Sequence, residues 1–445
     1  MSAAHHPYSR RSAGWPLVAA VCLLVTPGVR ATGVLRNFAG GEAAALGGAM
    51  VAGADSPLAA MWANPAVLAT IDAPAFEAGY FGAYGDATFA NSVNGEVGLR
   101  RHAGHGGEFA LVCPLGGGRG TAALAVIPEA TLLGDWRYRD APGGTDGSVT
   151  YGLQRHRSRF LAIRTAMGIG WNISDDLAVG ASVGLVYDRI DLQVPYIFQT
   201  APGLEDFKTL LDLETDGWSW NGELGVRLRL RDDLHLGLRY RTSTSLHSDG
   251  RAAGDASAQL AALGSPPPRT DFHYGADVSL SLPDIVSAGL AWQATGSLTV
   301  LGQVDWIPWG DHFDAMRVAL GDGDNPDLPS SIVDSVPLGW EDRFTIRAGL
   351  QCDLNPRWTW RCGYIHSASP IPARHVTPLN AAIAEHSLTT GVGLRLDDWT
   401  LDAGYQLDLR HRESVGTSAY RAGEYSRSEV SYLAHWWGVS ATRRF

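Results

Sequence analysis

The sequence lacks an apolar segment long enough to cross a membrane as a helix. Hydrophobic residues make up 45% of the 445 residues, and the mean hydropathy is -0.05. After residue 31, no unbroken apolar run approaches the roughly 20 residues that a spanning helix needs. A helical membrane protein is therefore excluded.

The sequence also lacks an excess of positive charge. It has 35 lysines and arginines against 46 aspartates and glutamates, which gives a formal net charge of -11 at pH 7. Proteins that bind nucleic acid present basic surface to the phosphates. We therefore expect no nucleic-acid partner.

Cysteine is scarce, and its number is wrong for a disulfide framework. Of four cysteines, three lie beyond the N-terminal leader described below, at 113, 352 and 362, and secreted disulfide frameworks use an even number. Cys352 and Cys362 flank a turn at Asn355-Pro356, where diagonal partners would be about 7 Å apart, at the limit of what a disulfide can bridge. We expect packed thiols, with a bridge between these two as the alternative.

The sequence is rich in glycine (53), tryptophan (15) and segments in which apolar and polar residues alternate. The clearest is GELGVRLRLRDDLHLGLRYRTST, residues 222 to 244. A helical period of 3.6 would mix its arginines with its leucines. In a strand, alternate side chains lie on opposite faces, so this segment predicts a hairpin with an apolar face and a cationic face, turning at Asp232-Asp233.

Many such segments, each of roughly ten or more residues and separated by turns, are typical of a transmembrane β-barrel, which has lipid outside and a polar interior. A soluble β-sandwich or a propeller also alternates. We find no repeat period that would mark propeller blades.

Residues 1–31 have the pattern of a secretory signal peptide. The pair Arg10-Arg11 precedes an apolar stretch and a Pro-Gly break, and small residues place the cleavage after Ala31. The arginine pair could indicate a twin-arginine signal, and Cys22 a lipoprotein. The residues that follow Arg10-Arg11 and those that flank Cys22 fit an ordinary secretory signal peptide better.

The stretch GVLRNFAGGEAAALGGAMVAGADSPLAAMWANPAVLA, residues 33 to 69, resembles the N-terminal hatch of the FadL family, outer-membrane transporters of long-chain fatty acids and aromatic hydrocarbons. It closes with Asn64, Pro65 and Ala66. Three further stretches resemble this family in the same order, at 215–244, 281–313 and 340–405. The terminal Phe445 resembles the signal by which bacterial barrels are recognised for assembly, although Arg443 stands where an apolar residue is usual.

The resemblance implies an all-β fold, a transmembrane antiparallel β-barrel of about 14 strands. Residues 32–72, starting at Thr32, would form a hatch that plugs the lumen, and residues 73–445 the barrel. The segments 128–157, 190–216, 248–275 and 311–339 match nothing in the family and are expected to be loops.

The resemblance also implies a function. The protein would be a passive transporter in the outer membrane of a Gram-negative bacterium. Hydrophobic ligand would be caught by the outer loops, pass to an apolar pocket, and leave through a gap in the wall when the hatch shifts. Its partners would be fatty acids or hydrocarbons, outer-membrane lipid and the barrel-assembly machinery, with no cofactor and no enzyme activity. The alternatives are a family-shaped barrel that binds a protein in secretion or assembly, and an outer-membrane esterase or lipase.

Two sets of residues are candidates for the site. Asn64, Pro65 and Ala66 would form a bend in the movable hatch, or a plain turn that enters the first strand. The second set faces the lumen in the strand interpretation. Its members would pair with lumen carboxylates such as Glu223, Asp305 or Asp353, or one would hold a ligand carboxylate by a bidentate contact. They are Arg227, Arg229 and Arg239.

Two other motifs have little support. Residues 180–184 spell the G-x-S-x-G of hydrolases around Ser182, but they lie inside a predicted strand and not on a strand-to-helix turn. Asp322, Asp324 and Asp327 could bind Ca²⁺ in an outer loop, but Val333 stands where a calcium loop has glutamate.

Overall fold

The structure is a computed structural model that describes residues 33–264 and 268–445. The predicted signal peptide, its cleavage site and Thr32 lie outside these ranges. No helix in the described residues is both long and apolar enough to cross a membrane.

The described strands form a single antiparallel sheet. Its first ten segments are β1 (Ala75–Ala90), β2 (Val97–Gly98), β3 (Ala103–Pro114), β4 (Gly120–Arg139), β5 (Leu153–Asn172), β6 (Leu177–Ile197), β7 (Lys208–Arg231), β8 (Leu234–Arg241), β9 (Thr244–Asp255) and β10 (Asp271–Leu282). The others are β11 (Ile285–Gln293), β12 (Leu298–Ile307), β13 (Ala315–Gly321), β14 (Ile332–Pro337), β15 (Arg343–Asp353), β16 (Trp358–Ser367), β17 (His386–Leu396), β18 (Trp399–Val415) and β19 (Ser428–Arg444).

Five pairs of consecutive segments each form one interrupted strand, so the 19 segments make a closed barrel of 14 strands. The interrupted strands are β2 with β3, β8 with β9, β10 with β11, β12 with β13, and β14 with β15. The barrel closes where β1 pairs antiparallel with β19, from Ala75 opposite Arg444 to Ala90 opposite Glu429. Because of this closure, neither the first nor the last strand is a free edge of the sheet. The predicted fold class, a closed antiparallel barrel with a hatch, is confirmed.

The barrel strands expose their apolar side chains outward, as the alternation predicts. On β7, Trp218, Trp220 and Leu224 are 62%, 72% and 62% exposed, whereas Asn221 and Glu223 are buried. Short turns, such as residues 173–176, connect strands at the end of the barrel where β1 begins and β19 ends. Long connections lie at the other end, which in bacterial barrels is extracellular.

The strands extend into all four segments that were expected to be loops. β4 continues to Arg139 and β5 begins at Leu153, and β7 starts at Lys208. In these parts the barrel projects beyond the apolar band, where polar side chains occupy the outer face as well. The apolar alternation therefore disappears while the backbone pairing continues.

Residues 33–71 fill the lumen. Their helices are α1 (Gly40–Ala45), α2 (Pro57–Ala63) and a 3₁₀ helix (Pro65–Thr70); α3 (Ser257–Ala262) and two short 3₁₀ helices, Ala373–His375 and Arg421–Gly423, lie in the extracellular connections. Nearly every hatch side chain is buried. The bounds 32–72 and 73–445 remain predictions as domain limits.

Glycines in the wall let the hatch come close. A Cβ at Gly225 on β7 would overlap the side-chain oxygen of Asn64, and one at Gly180 on β6 would overlap the backbone at Pro65 and Ala66. Backbone can approach this closely only where the wall residue has no side chain.

The three cysteines in the described residues are free thiols. Cys352 pairs with Trp360, and Cys362 with Leu350, so the two cysteines are diagonal neighbours, as expected.

Candidate functional site: an apolar cavity and a seam in the wall

An apolar cavity of about 180 Å³ lies on the extracellular side of the hatch. Its floor includes Val34 of the hatch, its wall includes Phe160 of β5 and Ile190 of β6, and its roof includes Leu379 and Tyr420 from the extracellular connections. Concave, mainly apolar cavities with a few polar groups are typical binding sites for small molecules. The cavity is therefore the candidate ligand site.

Three charged residues border this cavity: Arg159 of β5, Asp191 of β6, and Glu424 from the connection between β18 and β19. Glu424 is partly buried there. Burial raises the pKa of its carboxyl to about 7, and the nearby ammonium of Lys208 opposes only part of that rise. A buried carboxylate is costly, so at neutral pH this group exists in both protonation states.

The wall beside the cavity is not continuously paired. β3 and β4 pair only from Phe109 with Val126 to Pro114 with Thr121, although both strands extend farther toward the extracellular side. Just beyond the paired part, the register of β4 against β5 shifts between Pro128 and Ala130, which makes a bulge at Glu129. We call this unpaired stretch, residues 103–108 of β3 opposite residues 127–131 of β4, the seam.

The first described residues of the hatch close the seam from inside. Leu35 forms a bridge with Ala130. The backbone amide of Arg36 donates to the carbonyl of Glu129 at 2.9 Å, and that of Thr131 donates to the carbonyl of Val34 at 3.0 Å. These residues therefore replace the missing part of β3 as a hydrogen-bonded neighbour of β4. Val34 also borders the cavity, so one segment separates the cavity from the seam.

Arg36 joins the two sides of the seam through its side chain. Its Nη1 donates to Glu108 of β3 at 2.7 Å and to the carbonyl of Pro128 of β4 at 3.2 Å. The guanidinium lies 3.8 Å above the ring of Phe81. Glu108 also accepts from the backbone amide of Gly40, at 2.7 Å. The pair is buried, with 2% of the Arg36 side chain and 0% of the Glu108 side chain exposed.

Comparison with known families decides what kind of protein has this architecture. Residues 29–445 match the model of the family described as outer membrane protein transport protein (OMPP1/FadL/TodX). The chain belongs to this family. Its members are transport channels of the Gram-negative outer membrane and not enzymes. The predicted family and location are confirmed.

Solved structures share the fold at low sequence identity. A FadL homologue of Pseudomonas aeruginosa matches with a TM-score of 0.73 and 14% identity over 93% of this chain and 100% of that chain. The toluene transporter TodX of Pseudomonas putida matches with a TM-score of 0.70 and 18% identity over 94% and 99%. The toluene transporter TbuX of Ralstonia pickettii matches with 0.68 and 19% over 92% and 99%. A comparison with curated proteins finds no match.

Below the seam of this FadL-family barrel lies a buried ionic cluster. Arg241 is 3.2 Å from Glu129 and 2.5 Å from Glu223. Arg239 is 3.0 Å from Glu223, and Arg164 is 3.5 Å from both glutamates. Removing one partner of a buried pair leaves an uncompensated charge. The cluster therefore fixes Glu129, the bulge residue, against β5, β7 and β8.

The structure separates the three candidate arginines. Arg239 is buried in this cluster. The Nε of Arg227 donates to the carbonyl of Ala52 in the hatch at 3.0 Å. Arg229 lies near the periplasmic turn, 2.7 Å from Asp176. None of the three is among the described residues that border the cavity. A role in holding ligand remains a prediction for them.

Asn64 connects the hatch to the wall, with Pro65 and Ala66 beside it. Its side-chain amide donates to the carbonyls of Val51, Val226 and Leu238 at 2.7, 3.1 and 3.3 Å. Its side-chain oxygen accepts from the amide of Ala66 at 3.0 Å, which starts the 3₁₀ helix. The residue therefore anchors the bend against β7 and β8. A gating role for these three residues remains a prediction.

Sequence reasoning missed Arg36, Glu108 and Glu129. One signal could have indicated the first of them. Arg36 is an isolated cation in a long run of small and apolar residues, and a buried charge requires a partner. Nothing in the local pattern identifies that partner, which lies 72 residues away.

The motifs tested for other chemistry have structural partners instead. Ser182 accepts from Arg164 at 2.8 Å and donates to Glu223 at 3.2 Å, in the middle of β6. Asp324 is bound by Arg269 and His273. Within the described ranges, no group of three or more His, Cys, Asp or Glu residues is placed to hold a metal ion.

Proposed function

We propose that this protein is a passive transporter that takes small, uncharged hydrophobic molecules into the apolar cavity and releases them sideways through the seam between β3 and β4. The observation that carries this proposal is the position of Val34. It borders the cavity, and its carbonyl bonds to β4 at the seam. Moving this one segment would connect the cavity to the membrane.

The physical chemistry favours a sideways route. Each CH₂ group that leaves water gains about 0.8 kcal/mol, so passage through a hydrated channel would be unfavourable for an apolar molecule. On the outer face beside the paired end of the seam, Phe109 packs with Val126, Leu161 and Ile163. A ligand that leaves there enters an apolar environment.

The cavity favours neutral ligands over fatty carboxylates. Arg159 on its border is already paired with Asp191 at 3.3 Å, so the remaining charged group, the carboxyl of Glu424, would repel a ligand carboxylate whenever it is ionised. Among proteins of the same fold, TodX and TbuX are described as toluene transporters and CymD as a monoaromatic hydrocarbon channel. We infer that monoaromatic hydrocarbons are preferred to long-chain fatty acids.

Two further partners belong to this proposal. The exposed apolar band would contact outer-membrane lipid. The last strand, β19, ends beside the exposed Phe445, and we infer that the barrel-assembly machinery recognises this end of the chain.

A disulfide across the seam tests the proposal. Leu35 and Ala130 form a bridge whose flanking residues make the hydrogen bonds, a geometry that brings Cα atoms to about 4.5 Å, within disulfide range. We expect Leu35→Cys with Ala130→Cys, in a chain whose native cysteines are replaced by alanine, to abolish uptake of labelled toluene by whole cells. A reductant should restore uptake, and the single variant Leu35→Cys should transport normally.

Two outcomes would contradict the proposal. Uptake by the oxidised double variant at the rate of the reduced one would exclude an exit that depends on this segment. Faster uptake of labelled oleate than of toluene by the unmodified protein would show that the neutral preference is wrong.

A further inference from the structure

A dense group of arginines lies on the outer surface of the barrel, above the apolar band of β4, β5 and β6. On β5, Met167 and Ile169 face outward, with 64% and 41% exposed. The pairing of β5 with β6 is continuous, so every second residue from there toward the extracellular end faces outward as well. After Leu161, the next outward positions are Arg159, which also borders the cavity, Arg157 and Arg155.

The neighbouring strands add to this group. On β6, Tyr187 packs against the exposed Trp218 of β7 at 5.1 Å, and Arg189 follows on the same face. On β4, Arg137 and Arg139 are exposed. We call the six outward residues of these three strands the arginine cluster: Arg137, Arg139, Arg155, Arg157, Arg159 and Arg189.

Like charges face each other inside this cluster. Arg137 and Arg155 are direct cross-strand partners on β4 and β5, an arrangement that destabilises a sheet unless an anion lies between them. Arg155 binds Asp135 through two hydrogen bonds of 3.0 and 2.9 Å. In the described part of the chain, Arg137 and Arg139 have no ion-pair partner.

The remaining carboxylate of these strands is shared three ways. Asp191 lies 2.9 Å from Arg189, 3.3 Å from Arg159 and 3.7 Å from Arg157. The Nε of Arg159 is buried without a hydrogen-bond partner. Asp135 and Asp191 are therefore the two carboxylates in ion-pair contact with these six guanidinium groups, although Asp212 and Glu214 of β7 attract Arg155, Arg157 and Arg189 from farther away.

Three rim arginines outside the cluster each have a carboxylate partner. Arg410 pairs with Asp86 at 2.6 Å, Arg412 with Glu429 at 3.0 Å, and Arg317 with Asp277 at 3.4 Å. On β7, the strand next to β6, the outward residues are acidic, at 212, 214 and 216, so the cationic area ends there. On the extracellular outer face of β4, β5 and β6, arginines therefore outnumber carboxylates.

We propose that the arginine cluster binds the phosphate groups of the phosphorylated glycolipid of the outer leaflet, lipopolysaccharide. The cluster lies immediately above the apolar band, at the level where lipid headgroups meet the wall. Guanidinium groups bind phosphate with paired, charge-assisted hydrogen bonds. A phosphate between Arg137 and Arg155 would relieve their repulsion and supply Arg137 with its missing partner.

Binding of purified lipopolysaccharide to the full chain in mild detergent tests this proposal. The cluster variant is Arg137→Gln with Arg139→Gln, because loss of either residue leaves no protein carboxylate unpaired. The control is Arg317→Gln with Arg412→Gln, which removes two rim arginines outside the cluster. We expect the cluster variant to bind at least about tenfold more weakly, in line with the loss of charge-assisted bonds, and the control to bind as the unmodified protein does.

Two further measurements identify the bound group and its source. Lipopolysaccharide from which the phosphates have been removed should bind the unmodified protein as weakly as the phosphorylated form binds the cluster variant. Inorganic phosphate should not displace the lipid at equal concentration. Equal binding by the cluster and control variants, equal binding of the dephosphorylated lipid, or complete displacement by inorganic phosphate would each overturn the proposal. Retention of the folded form on unheated gels shows that each variant has kept its barrel.

Discussion

Arg36 of the hatch and Glu108 of β3 form a buried ion pair at 2.7 Å, beside the seam that the same hatch segment closes. Because Arg36 also bonds to the carbonyl of Pro128 on β4, a single side chain of the hatch contacts both sides of the seam. Movement of this hatch segment away from β3 would break the pair.

The first prediction concerns that pair. Glu108→Gln should loosen the hatch without unfolding the barrel, because breaking a buried pair by removing one partner costs about 3–5 kcal/mol. The measurement is hydrogen exchange of residues 33–71 in the folded protein, which should become faster. Asp176→Asn, which breaks the exposed pair with Arg229, should change the exchange little, since surface pairs contribute about 0–1 kcal/mol. Equal exchange in both variants would show that Arg36 does not hold the hatch.

The second prediction concerns the close approach of the hatch to β7. Gly225→Ala should displace the 3₁₀ helix, because the new Cβ would overlap the side chain of Asn64. Gly222→Ala on the same strand is the control, since the nearest atom to its Cβ lies at 3.7 Å. Limited proteolysis in detergent should cleave the hatch faster in the first variant only. Resistance of both variants would mean that the wall can absorb the added methyl group.

The third prediction concerns the two faces of β7. Leu224 is 62% exposed on the outer face, so Leu224→Arg would place a cation in lipid, at a cost of about 2–4 kcal/mol near the midplane. Arg229→Leu removes only an exposed pair near the turn and should cost much less. Urea-dependent refolding into lipid vesicles compares the two free energies of unfolding. A greater loss for Arg229→Leu would mean that the two faces are interchanged.

The fourth prediction concerns the pH dependence of the cavity. Burial raises the pKa of Glu424 to about 7, and its titratable or charged neighbours are Lys208, Asp140, Tyr138, Tyr196, Tyr420 and Tyr425. Because the folded protein binds this proton more tightly than the unfolded chain, where the pKa is near 4.5, the contribution of this group to stability falls as the pH rises from 4.5 to about 7.

The same titration should govern ligand affinity. The affinity for a neutral monoaromatic ligand, measured by calorimetry on either side of pH 7, should decrease as the carboxyl ionises. Glu424→Gln should keep the low-pH affinity throughout. A pH dependence that survives in this variant would assign the titration to another group.

The alternation in β7 and β8 was sufficient to predict strands, faces and the turn at Asp232-Asp233. A side-chain period of two is a local property, because each residue's direction follows from that of its neighbour. The small-residue run before Asn64, together with the family resemblance, was sufficient to predict a hatch. The strand extensions beyond the apolar band were not predictable in this way. There the outer face no longer meets lipid, so polar side chains occur on both faces and the sequence does not alternate.

Only the tertiary structure decided which side chains meet. Arg36 and Glu108, Glu129 and Arg241, and Arg137 and Arg155 each come together through the register of paired strands or the seating of the hatch. Register is fixed by closure of the whole barrel and by the bulge at Glu129, and a shift of one residue would exchange the faces of a strand. The sequence by itself determined which side chains of each strand face lipid and which face the lumen. The seam, the buried pair beside it and the arginine cluster depend on contacts between segments distant in sequence, which a local period cannot specify.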